Sequence, residues 1–191
     1  MLLYNDIIRD TNNNDLLRTK SSDVELPISD EDLNTLFLMN EYLMHSNDDE
    51  FMETHDIRPG VGIAAPQIGV LKKMFCIATE DENDVFHNYC IVNPKIISHS
   101  EEMIYLPGGE GCLSVNDEHK GYIHRYKRIK ARVWLYNFKK KRLENKVLEL
   151  QGYLAIVFQH EYDHLFGKLF YDRINKENPF FIPSNSHSAF K

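Results

Sequence analysis

Residues 151–166, QGYLAIVFQHEYDHLF, carry helical periodicity, with Leu154, Val157 and Phe158 on the same side as His160 and His164. A helix of this kind needs cover along the face that bears the histidines, so it sets where the rest of the chain must pack. Four residues turn an α-helix by 400°, which leaves His160 and His164 about 40° apart in direction and about 6 Å apart in height. Two imidazoles in that relation can close on one tetrahedral ion at about 2.0–2.1 Å. Glu161 points about 100° away from His160, too far round for a third ligand but within reach of a water on that ion. Chance matches to H-E-x-x-H occur in such a chain on the order of once in a hundred.

The rest of the chain supplies the cover. Ser29, with Asp32 three residues on, marks a helix start, and Leu33, Leu36, Phe37, Leu43 and Met44 share one face, predicting a helix over 30–45. Residues 46–60 read as an acidic, mobile loop. MFCIAT (74–79) is a short buried strand, and after the polar loop EDENDVFHN come YCIVNPKIIS and MIYL, two further strands. In IKARVWLYNF (129–138), Ala131, Val133 and Leu135 alternate with Lys130, Arg132, Trp134 and Tyr136. KKKRLEN then turns the chain and KVLEL returns as a hairpin. Gly167 is placed as the C′ residue of the histidine helix. The predicted class is α+β: antiparallel β-strands packed around a central metal-binding helix, in one catalytic domain over 1–191 with the last ~15 residues irregular.

A net charge of -7 argues against a partner bound through bulk positive charge, nucleic acid above all. No apolar run approaches the roughly 20 residues of a membrane span. The acidic start, MLLYNDIIRDTNNNDLL, has neither signal-peptide nor transit character, so the cytoplasm is expected. Three cysteines without CxxC spacing fit reduced thiols.

Two histidines need a third ligand. One class of zinc proteases extends the motif with a glycine and a third histidine; here Gly167 matches, but Phe170 stands where that histidine should be. Glu177 is the only glutamate after His164, in a Pro- and Asn-rich tail, so the third ligand lies upstream. Cys76 and Cys90 sit in apolar, strand-like settings and read as buried inert thiols. Cys112 sits in LPGGEGCLSV, a glycine-rich loop suited to close backbone approach. With His160 and His164 it completes a one-cysteine, two-histidine site with an open position, a catalytic count. Such ligation suits Fe(II) as well as zinc. Upstream, RPGVGIAAPQIGV (58–70) is rich in small residues; taken alone it reads as a packed turn, though Gln67 offers an amide to a developing oxyanion.

Three stretches, GVGIAAPQ (60–67), EGCLS (110–114) and QHEYDHLFG (159–167), closely resemble the three signature motifs of the peptide deformylases, in order. The opening DIIRDTNNNDLLRTKSSDVELP and the hairpin also resemble that family. An expanded loop before Gly60, a polar insertion near 80–88 and Pro66 resemble its longer subtype, common in Gram-positive bacteria and mycoplasmas. The resemblance implies removal of the formyl group from N-formylmethionine at the start of nascent proteins, releasing formate. It implies one divalent ion on Cys112, His160 and His164, natively Fe(II), with Zn(II), Ni(II) or Co(II) as alternatives. Glu161 would be base and then acid, and Gln67 and the Leu113 backbone N–H would hold the oxyanion. Gly62 would let a formyl carbonyl fit, while Val61, Tyr153 and Val157 would wall the methionine pocket. Glu110 would orient the Cys112 loop or an incoming peptide. A monomer acting on nascent chains, with transient ribosome proximity, is the implied setting.

Overall fold

The computed structural model describes residues 1–11 and 15–190; residues 12–14, inside the opening stretch that resembles the family, and residue 191 lie outside them. Helix α1 (Asp30–His45) begins where expected, with the Ser29 side chain accepting from the Asp32 N–H at 3.1 Å. Its buried stripe is Asp32, Thr35, Leu36, Met39, Tyr42 and Leu43. Phe37 and Met44, expected on that face, are exposed. The stripe is rotated because Lys72 Nζ meets both Asp32 oxygens at 2.7 Å and draws that carboxylate inward. The stretch 46–60, read as loop, contains a one-and-a-half-turn helix, α2 (Asp49–Thr54), capped by Asp48. It buries no residue, so no apolar stripe announces it.

The strands follow as β1 (Gly62–Ala64), β2 (Met74–Glu80), β3 (Phe86–His99), β4 (Met103–Tyr105), β5 (Arg125–Tyr126), β6 (Arg128–Asn137) and β7 (Arg142–Gln151). Five of them form an antiparallel sheet in the order β1-β2-β3-β6-β7. β3 starts inside the polar stretch expected to be loop, and β7 starts inside the expected turn. Backbone pairing carries β7 up to Arg142, opposite Asn137, although these residues are polar.

Helix α3 (Gly152–His164) covers one face of this sheet and α1 the other. The interior strand β2 is therefore buried along nearly its whole length: Met74, Cys76 and Ala78 pack toward α1, Phe75 and Ile77 toward α3. The same two-sided cover explains β6. Ala131 and Val133 share one face, as expected, and that face meets α3, but Tyr136, placed on the polar side by alternation, is buried in the α1 layer. Phe158 of α3 is fully buried and meets Phe75 edge to face, centroids 5.1 Å apart. α3 ends one residue before its C-cap Leu165, and Gly167, one position beyond C′, takes φ +67 and donates to the His164 carbonyl. The tail, expected to be irregular, adds a short strand, β8 (Ser186–Ser188), parallel to β4 in a second sheet of order β5-β4-β8.

Phe158→Ala should lower unfolding free energy by about 3–5 kcal/mol, since a full ring is removed from between sheet and helix. Val147→Ala, half exposed on β7, should change it by less than about 0.5 kcal/mol. Urea midpoints read at constant slope check both.

Candidate metal centre

The third candidate ligand, Cys112, comes from the loop joining β4 to β5. Cys112 Sγ lies 3.3 Å from His164 Nε2, and one donor atom each from Cys112, His160 and His164 falls within 4.8 Å of the others. Bonds of about 2.3 Å to sulfur and about 2.0 Å to nitrogen put the edges of a tetrahedron at roughly 3.5 Å, so this donor set fits one ion. His160 uses its far side otherwise: Nδ1 donates to Glu110 Oε2 at 2.8 Å, leaving Nε2 for the centre. Cys76 and Cys90 lie elsewhere, fully buried opposite each other on β2 and β3 with sulfurs 3.5 Å apart.

Glu161 is buried, and its Oε2 has no hydrogen-bond partner among the described residues. Burial lifts its carboxyl to about 7. A carboxylate so placed, beside a one-cysteine, two-histidine donor set, fits a centre that handles a water and its proton. Gly62 makes room for it: a Cβ there would stand 2.8 Å from Glu161 Cδ. Burial, and then the neighbouring His160, bring His164 down to about 3, a neutral imidazole ready to ligate. Burial opposes charge on His160 too, but its bonds to Cys112 and Glu110 outweigh this and raise its pKa.

Gln67 is held by both ends of its amide. Its Oε1 accepts from the Ala64 N–H at 2.8 Å, which aims Nε2 at Ser114 Oγ (3.1 Å) and Cys112 Sγ (3.5 Å). A cleft of about 520 Å³ opens over these groups. Val61, Gly62, Gln67, Glu110, Cys112, Leu113, Tyr153, Val157, His160 and Glu161 all line it, and so do Arg58, Leu106 and Ile156, which sequence reasoning did not single out. His164 lies behind His160, 1% exposed.

Of the two parts expected of Glu110, its contacts fit the one that orients the Cys112 loop. Its oxygens are engaged by Arg125, at 2.6 Å from Nε and 2.8 Å from Nη2, and by His160, rather than held out to a peptide. Arg125, 1% exposed, also donates through Nη1 to Asp163 at 2.9 Å, and Arg173 reaches Asp163 from the other side. Sequence reasoning missed Arg125, Asp163 and Arg173. Arg125 sits in HRYKR, a basic run with no apolar neighbour pattern to mark its burial, and Asp163 is one of the free positions of HEYDH. Burial pushes the Glu110 carboxyl up, but the charge and hydrogen bonds of Arg125 and His160 prevail and hold it at about 2.

A buried helix-borne centre with a loop cysteine under an open cleft is the architecture of a mononuclear metal hydrolase. Comparison narrows the class. The family model described as Polypeptide deformylase matches residues 6–180. The chain is 48% identical to peptide deformylase 2 of Bacillus cereus and 47% identical to that of Bacillus anthracis, each over 97% of both chains. A solved class I type b peptide deformylase from Acinetobacter baumannii superposes with a TM-score of 0.71 at 29% identity, covering 91% of this chain and 99% of the other. The chain belongs to the polypeptide deformylase family, metal-dependent enzymes that deformylate N-formylmethionine on nascent peptides.

Two outcomes follow from the ion pairs. Arg125→Met should destabilise the fold by about 3–5 kcal/mol, because Glu110 and Asp163 are left buried and unpaired. The folded Glu110 pKa lies below its ordinary 4.5, so its contribution is present above about pH 4.5 and is lost as pH falls toward 2. Glu110→Gln should flatten that acid limb in a plot of stability against pH.

Proposed function

We propose that Cys112, His160 and His164 hold one divalent ion, Fe(II) in the native enzyme, and that the residues around it hydrolyse the formamide of formylmethionyl peptides. The observation that carries this reading is the free Oε2 of Glu161, buried beside the Cys112–His164 pair in the cleft. When bound, the ion acidifies water and polarises a carbonyl. Glu161 accepts the proton of the attacking water and later delivers it to the departing amine nitrogen, which its pKa near neutrality favours. The Gln67 Nε2–H, already oriented by the Ala64 bond, donates to the developing oxyanion together with the Leu113 backbone N–H.

Selectivity for formyl is steric. Gly62 brings bare backbone against the site, where a hydrogen on the carbonyl carbon is accommodated and a methyl is not. The methionine side chain enters between Val61, Tyr153 and Val157, all on the cleft. Glu110 contributes by fixing the His160 ring. The enzyme works as a monomer in the bacterial cytoplasm, on chains leaving the ribosome. No helix of the described residues is long and apolar enough to cross a membrane.

Formate release from a formyl-Met peptide, after anaerobic loading with Fe(II), Ni(II) or Zn(II), tests the assignment; turnover of acetylated or internal amides instead would overturn it. Glu161→Ala should keep stoichiometric metal and lose nearly all turnover. Gln67→Leu should lower kcat by roughly 10²-fold or more, and an effect confined to KM would remove Gln67 from the oxyanion role.

A further inference from the structure

Tyr153, the second residue of α3, lines the cleft, and two segments far apart in sequence converge on it. The first is the turn between β2 and β3. Glu82 Oε1 accepts from the Tyr153 backbone N–H at 2.6 Å. The N-cap residue Gln151 makes no side-chain cap, so Glu82 supplies the carboxylate that the helix start favours. Gly152 has φ +58, and a Cβ there would overlap the Glu82 carboxylate. Only a bare residue admits it. The turn is braced as well: Asp81 Oδ1 accepts from the N–H groups of Asn83 (2.8 Å) and Val85 (3.2 Å), and Asp81 Oδ2 bonds His87 Nε2 at 2.8 Å.

The second segment is the tail. β8 pairs with β4, and the Ala189 N–H donates to the Tyr105 carbonyl at 2.9 Å. His124 ties the same segment down through Ser186 Oγ (2.7 Å) and the Phe181 carbonyl (2.9 Å). This places the half-exposed Phe190 ring beside that of Tyr153, centroids 6.0 Å apart at 44°.

We propose that Glu82 and Phe190 are positioning residues that set the Tyr153 wall of the cleft and so its selectivity for the first side chain of the peptide. The proposal rests on reading Tyr153 as part of the methionine pocket. Glu82 fixes the backbone of the first helical turn, and Phe190 limits how far the Tyr153 ring swings out. His160 lies seven residues further along α3, about 10 Å away, so the ligands are spared by changes at either group.

The metal-loaded enzyme and its E82A, E82Q, F190A and F190Y variants should be assayed on formyl-Met-Ala-Ser and formyl-Ala-Ala-Ser. E82A and F190A should raise KM for the methionine peptide by roughly three- to tenfold with kcat within about twofold. They should also narrow the preference for methionine over alanine. E82Q keeps an acceptor oxygen and F190Y keeps the ring, so both should stay near the parent. Unchanged KM and preference in F190A and E82A would overturn the proposal, as would an equal kcat loss in all four variants. Phe190 is half exposed, so F190A stays interpretable if E82A unfolds. A parent enzyme that releases no formate would instead overturn the functional reading.

Discussion

The arrangement of the centre depends on one buried cation. Arg125, from the two-residue strand β5, is clasped by Glu110 of the cysteine loop and by Asp163 of the helix that carries both histidines. Taking a guanidinium and two carboxylates out of water is expensive, and only near-ideal pairing offsets it. The pairing in turn fixes distances: loop and helix cannot drift apart without stranding a charge. Cys112, two residues from Glu110, is thereby held against His164, and the Glu110–His160 bond sets the ring beside it. The donor geometry is thus a by-product of a buried ion cluster.

A second constraint is space. Glu161 keeps an unsatisfied oxygen in a buried position because Gly62 on β1 brings no side chain to fill the gap, and β1 is held there by pairing with β2. An unpaired buried carboxylate is costly, and burial answers by raising its pKa. The fold therefore tolerates a local instability that the proposed chemistry would use.

The chemically specific residues were the legible ones. His160, Glu161, His164 and Cys112 stand out because few other patterns put those side chains at those spacings, and helix α1, strand β2 and the β6–β7 hairpin announce themselves through apolar periodicity. What stayed hidden was set by tertiary contact. Arg125 and Asp163 look solvated until both are seen buried together. Tyr136 breaks the alternation of β6 because helices cover both faces of the sheet. Helix α2 has no fully buried residue, and the three residues of β8 carry no strand signal of their own, being ordered by the edge of β4. The buried face of α1 is turned by one residue from its most apolar face because an acid, Asp32, points inward to meet Lys72.

The parallel pairing of β8 with β4 bears on the order in which the molecule can be finished. The partners lie some 80 residues apart in the chain, so theirs is the least local pairing among the named strands and closes slowly. During synthesis β4 leaves the ribosome long before β8 exists, and until then its outer edge is an unpaired ribbon. The loop bearing Cys112 hangs from that strand. An enzyme that meets other proteins at their first residue keeps one edge of its own β4 open until β8 docks on it.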